Sequence, residues 1–145
     1  MRLWHYKLLP FLPKSQLLSQ KRECDLIWKD ISEERKTNHI LINYIWEDDK
    51  YLQNLSLYYW LLKEEFNKRG FAFKFSKNFI TKNVYFGHGN ATPFPNIHNY
   101  EYLVICYYNL KEKFLRGQKD FDTNTFERLR KFIKEEKQHA IRPQY

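Results

Sequence analysis

The sequence predicts a mainly α-helical single domain of about four helices, residues 1–145. Three observations carry that reading. Apolar side chains recur at helical spacing in three segments: Leu52, Leu55, Tyr59, Leu62 and Phe66; Leu103, Tyr107, Leu110 and Phe114; Phe126, Leu129, Phe132 and Ile133. Helix stops stand where those repeats end, with Lys68-Arg69-Gly70 after the first and Gly117 after the second. A further apolar stripe (Leu17, Cys24, Ile27, Trp28 and Ile31) lies near the amino terminus.

In chain order, residues 1–13 read as an extended, proline-containing arm. Ser15 is the expected N-cap of a first helix running to about Asp30. Gln16, Ser19 and Glu23 fall at i, i+3 and i+7 on a second face of that helix, with Ser15, Arg22 and Leu26 beside it. Residues 32–39 are a polar linker. The run Ile40–Trp46 is short and apolar, and periodicity does not separate strand from helix there. Asp48 or Asp49 is the expected cap of the second helix. A long irregular loop follows over roughly 71–98: Phe71, Phe73 and Phe75 alternate, then Gly87, Gly89, Pro93 and Pro95 break any regular element. The third helix is expected over about Asn99–Leu115 and the fourth over about Thr123–Gln138, followed by a loose tail at 139–145.

Composition narrows the partners. Of 145 residues, 43% are hydrophobic and 29% charged, which describes a soluble globular chain rather than a disordered one. A net charge of +8 favours a polyanion, with nucleic acid ahead of membrane. Cations such as Lys7, Lys14, Lys21, Arg22, Lys68, Lys74 and Lys82 are interleaved with 11 Tyr, 12 Phe and 4 Trp, a mixture suited to phosphate contacts and base stacking as well as to a solvated surface over an aromatic core. Cys24 and Cys106 lack metal or redox spacing and suit a reducing interior, so the expected location is cytoplasmic. No apolar stretch is long enough to span a membrane, and the leading Leu8-Leu9-Pro10-Phe11-Leu12 is broken by proline.

Most motif readings are bland. Gly87-His88-Gly89 lacks the spacing of a phosphate-binding loop and reads as turn glycines. His88, His98 and Cys106 do not have zinc-ligand spacing, and no metal or diffusible cofactor is expected. The terminus is more promising. An α-amine titrates near pH 8, about two units below a lysine, so it is a ready nucleophile at neutral pH. A carboxylate folded back beside it can stabilise an oxocarbenium-like sugar and move protons through imine and β-elimination steps. Glu23 is the candidate carboxylate and Met1 the candidate amine; the alternative for Arg22-Glu23 is a solvated charge pair.

Leu12-Pro13-Lys14-Ser15-Gln16-Leu17-Leu18-Ser19-Gln20-Lys21-Arg22-Glu23 resembles the pyrimidine-dimer DNA glycosylases of the phage endonuclease V type. The opening Met1-Arg2-Leu3-Trp4-His5 is closer still to a bacterial subgroup of that family, and the likeness spans roughly residues 1–120. The resemblance implies a monomer that binds duplex DNA carrying damaged or abasic sites, flips a base, attacks C1′ with its N-terminal amine and cleaves the strand by β-elimination. It implies Met1 and Glu23 as catalytic residues, with Arg2, His5, Gln16, Lys21 and Arg22 on the DNA side. Ser15-Gln16 stands where the family has glutamine-histidine, and Leu26 stands near the place of a further arginine. A residue as large as Arg2 normally prevents removal of Met1, so the amine is expected to belong to Met1 itself. Two other readings fit the residues: a basic nucleic-acid-binding protein without chemistry, and an enzyme for another aldehyde-bearing or glycosidic substrate.

Overall fold

The computed structural model describes residues 1–79 and 91–141. Within them the fold is all-helical, without strands: α1 Lys14–Ser32, α2 Tyr51–Lys68, α3 Tyr100–Leu115 and α4 Thr123–Ile141, with two 3-10 segments at Tyr6–Phe11 and Asn43–Glu47. No described helix is long and apolar enough to cross a membrane.

The expected helix boundaries hold to within a few residues, and their ends have identifiable causes. Gly70 follows α2 at φ +74°, with Phe71 N–H bonded to Phe66 C=O at 2.9 Å and Gly70 N–H to Asn67 C=O at 3.1 Å. Phe71 also packs edge-on against Phe66, the apolar contact that accompanies this type of stop. Gly117 repeats the arrangement after α3 at φ +82°. A Cβ at either glycine meets nothing within 4 Å, so backbone conformation selects glycine there. Asn99 caps α3 by accepting from Tyr102 N–H at 3.0 Å. Asp122 accepts from Thr125 N–H at 2.6 Å at the start of α4.

Four local expectations change. Ser15 does not cap α1. Pro13 holds the cap position, and Ser15 donates its N–H to Asp120 Oδ2 at 2.7 Å, so the capping carboxylate comes from the turn between α3 and α4. Asp48 and Asp49 precede the cap position of α2, which Lys50 occupies; Asp48 instead accepts from Lys50 N–H and from Asn54 Nδ2. The arm is not extended throughout: Tyr6–Phe11 is a 3-10 helix because His5 Nδ1 accepts from Lys7 N–H and because Leu8 and Leu9 turn into the core together. The tail is helical as far as Ile141, which places 139–141 in α4; residues 142–145 lie outside the described residues.

The loop keeps its irregular character at 71–79 and 91–99. Phe73 and Phe75 lie against Tyr59 of α2 without pairing as a strand. The part at 80–90, including Lys82 and Gly87-His88-Gly89, lies outside the described residues.

The core explains why the arm is fixed. Leu3, Leu8, Leu9 and Leu12 are buried with Leu17, Trp28, Leu55, Tyr58 and Leu110 in one cluster. Each such aliphatic side chain contributes about 1.5–3 kcal/mol relative to exposure. The first 3-10 segment touches α2, α3 and α4. The first twelve residues are thereby integral to the core, and their backbone runs across α1 at the level of Glu23.

Candidate active site

Glu23 projects from the middle of α1 towards that backbone. Its Oε2 accepts from Arg2 N–H at 3.4 Å and from Gln20 Nε2 at 2.8 Å. Burial raises its pKa above the ordinary glutamate value; the Arg2 N–H, the positive charge of the chain terminus, the Gln20 amide and His39 pull the other way in decreasing measure.

Gln20 is the hub of the site. Its side chain is buried on the apolar stripe of α1. Nε2 donates to Arg2 C=O at 2.8 Å and to Glu23, while Oε1 accepts from Trp4 N–H at 2.7 Å. The hydroxyl of Tyr58, from α2, lies 2.6 Å from Oε1 and 2.7 Å from Trp4 C=O, so its single proton serves one acceptor at a time. Tyr102 of α3 donates to Leu3 C=O at 2.5 Å. Side chains from three helices therefore hold the backbone of residues 2–4. Ordinary backbone pairing is unavailable there, because the segment is neither helix nor strand.

A cavity of about 280 Å³ opens at this point, lined by Met1, Arg2, Trp4, Gln16, Glu23, Leu41, Asn109 and Lys113. A larger one of about 440 Å³ lies at Tyr44, Glu47, Asp48 and Asp49. Its carboxylates repel a polyanion, so volume alone does not choose the site. Among the described residues no three His, Cys, Asp or Glu converge to hold a metal ion.

The expected site residues divide in two. Met1, Arg2, Gln16 and Glu23 share the cavity, and Arg22 is exposed beside it with its guanidinium on Ser19 Oγ at 2.9 Å. Arg2 turns its own guanidinium over Trp4, at 5.9 Å from the ring centroid. Lys21 and His5 are placed elsewhere. Lys21 pairs with Asp25 at 2.6 Å and lies 5.0 Å over Phe73. His5 is only 2% exposed, stacks on Tyr6 and lies tilted against His98; burial lowers its pKa to about 4. Six contributors were not singled out from sequence: Gln20, Leu41, Tyr58, Tyr102, Asn109 and Lys113. Gln20 left a readable trace, because it is a polar residue at the core position between Leu17 and Cys24. Asn109 and Lys113 sit one helical turn apart on α3, but only the tertiary fold, in which α3 packs on the N-terminal segment, reveals that they line the cavity with Glu23.

Residues 1–80 match the family described as pyrimidine dimer DNA glycosylase; that is more than half of the chain, and the protein belongs to this family. The match contains α1, α2 and Glu23 but ends before α3 and α4. No curated protein and no solved structure matches the chain significantly.

Proposed function

We propose that this protein is a DNA repair glycosylase with AP lyase activity. It acts on pyrimidine dimers or abasic sites in duplex DNA, through the α-amine of Met1 and the carboxylate of Glu23. The observation that carries the reading is the bond from Arg2 N–H to Glu23 Oε2: the carboxylate is tethered to the residue next to the amine, in a cavity both line.

The geometry suits each step. The amine lone pair attacks C1′ as the glycosidic bond breaks and its electron pair leaves with the base; on an abasic sugar the aldehyde carbon is attacked directly. Glu23 carboxylate stabilises positive charge at C1′ and takes a proton from the attacking amine. It returns a proton to the ring oxygen, which opens the sugar and forms the imine. Removal of a C2′ proton then expels the 3′ phosphate by β-elimination. A carboxyl with a raised pKa suits both directions of proton transfer. Lys113, Arg2 and Arg22 offer positive charge for the flanking phosphates, and the Gln20 bonds fix the approach of amine to carboxylate.

The deciding experiment is borohydride trapping of the untagged protein on duplex carrying one abasic site or one cyclobutane dimer. The expected product is a covalent adduct that maps to the Met1 peptide and is lost in Glu23→Gln. Salt-sensitive DNA binding without an adduct overturns the enzymatic reading and leaves a nucleic-acid-binding protein of the same fold.

A further inference from the structure

The turn beside the cavity has the wrong residues for a turn. Ile42 N–H bonds to His39 C=O at 2.9 Å, which makes Ile40 and Leu41 its two central residues. Such positions ordinarily take Gly, Asn, Asp, Pro or Ser, whose backbone preferences or short polar side chains suit them. Here both are branched aliphatics held in water: Ile40 is 86% exposed and Leu41 38%.

The turn is rigidly mounted. Leu41 N–H donates to His39 Nδ1 at 3.2 Å, and His39 N–H donates to Asn43 Oδ1 at 2.8 Å. Ile42 and Ile45 are completely buried behind it. Leu41 lines the same cavity as Met1 and Glu23, and His39 acts electrostatically on Glu23. Leu26, one helical turn beyond Glu23 on α1, is 50% exposed. Arg2 and Lys113 line the cavity with Leu41, and Arg22 is exposed on α1. An apolar tip next to a cavity that carries cations and can take a sugar matches a duplex opened at one base step. The cations meet phosphates and the aliphatic tip replaces lost stacking.

We propose that Ile40, supported by Leu41, is a wedge that enters the base stack beside the lesion and holds the opened step while the sugar occupies the Glu23 cavity. This rests on the duplex-DNA reading above. The wedge serves only paired substrate, because a single strand has no partner stack to part.

The test uses wild type, Ile40→Ser and Ile40→Met, with far-UV circular dichroism to show equal helix content. Duplex carrying an uncleavable tetrahydrofuran abasic analogue, with 2-aminopurine at the adjacent step, reports unstacking as a fluorescence rise on binding. Wild type and Ile40→Met are expected to give the rise and Ile40→Ser to lose most of it. Borohydride trapping on a natural abasic site is expected to slow about tenfold or more in Ile40→Ser on duplex. On single-stranded oligonucleotide it should stay within about twofold of wild type, as for an exposed substitution outside the cavity. No rise with wild type, an undiminished rise with Ile40→Ser, or equal slowing on both substrates overturns the wedge. Self-association abolished by Ile40→Ser with the fluorescence rise intact assigns the tip to a second copy of the chain and also overturns it. Absence of any adduct with wild type defeats the catalytic reading alone, and the fluorescence arm still decides the wedge.

Discussion

Gln20 joins the two halves of the candidate site: one amide N–H reaches Glu23 Oε2 and the other reaches the carbonyl of Arg2, both at 2.8 Å. Carboxylate and terminal backbone are therefore referenced to a single buried group. This group is neutral at every pH, so the hub itself does not titrate.

Gln20→Leu tests that role. It strands the Trp4 N–H and the Arg2 carbonyl, and an unpaired buried polar group costs about 1–3 kcal/mol. Thermal unfolding should shift down accordingly. The rate of adduct formation at saturating DNA should fall more than the affinity for DNA, since phosphate contacts do not pass through Gln20. Gln20→Glu keeps the acceptor for Trp4 N–H but sets a second carboxylate beside Glu23. The acid limb of the rate–pH profile should then move to higher pH, whereas a merely structural role leaves the limb in place.

Glu23→Gln separates catalysis from stability. Adduct formation should fall by about 10²–10⁴, the range for loss of a positioned acid–base group. Stability should change in the opposite sense. The folded pKa of Glu23 lies above its unfolded value, so the folded protein holds the proton more tightly. The stability this contributes is present below the unfolded pKa and is lost as pH rises through the folded one. At neutral pH the buried charge is a burden, and Glu23→Gln should raise the melting temperature at pH 7 and by less at pH 4. A lower melting temperature at pH 7 would contradict this account of its burial.

The sequence made the helices legible because their signals are local: apolar recurrence at three and four residues, and glycine stops at Gly70 and Gly117. It made Glu23 and Gln16 legible as one face of α1 for the same reason. It did not reveal the cap of α1, since Asp120 lies about a hundred residues from Ser15. Nor did it reveal that Lys21 points away from Glu23 to Asp25, because a helical face shows only which residues share a side and not what that side meets. Asn109 and Lys113 depend on tertiary packing alone. The buried His5–His98 pair was likewise hidden: His5 was expected on the DNA side, whereas it is buried beside Leu3, Leu8 and Leu9.

That pair predicts acid sensitivity. Burial lowers the pKa of His98 to about 3 and that of His5 to about 4, against 6.5 in the open chain. The unfolded chain binds more protons than the folded one between those limits. The stability contributed by the neutral rings is therefore complete above pH 6.5 and declines as pH falls towards the folded values. Each histidine adds a slope of up to about 1.4 kcal/mol per pH unit in that window. Chemical denaturation at pH 7, 5.5 and 4.5 should show a steady fall in unfolding free energy, and His98→Phe should flatten it. An unchanged slope in that variant would assign the acid sensitivity to other groups.

Lys113, in the cavity, and Lys21, outside it, should not behave alike towards DNA. Lys113 lines the cavity with Met1 and Glu23, and among the described residues no carboxylate lies within 4 Å of its ammonium. Lys21 is tied to Asp25 at 2.6 Å and covers the Phe73 ring. Lys113→Ala should weaken duplex binding across sequences and reduce the slope of log affinity against log salt by about one, the signature of one lost phosphate contact. Lys21→Ala should leave that slope unchanged and lower only the melting temperature. Titrations of a fluorescent abasic-analogue duplex at several salt concentrations measure both. Equal slopes for Lys113→Ala and wild type would remove Lys113 from the DNA face.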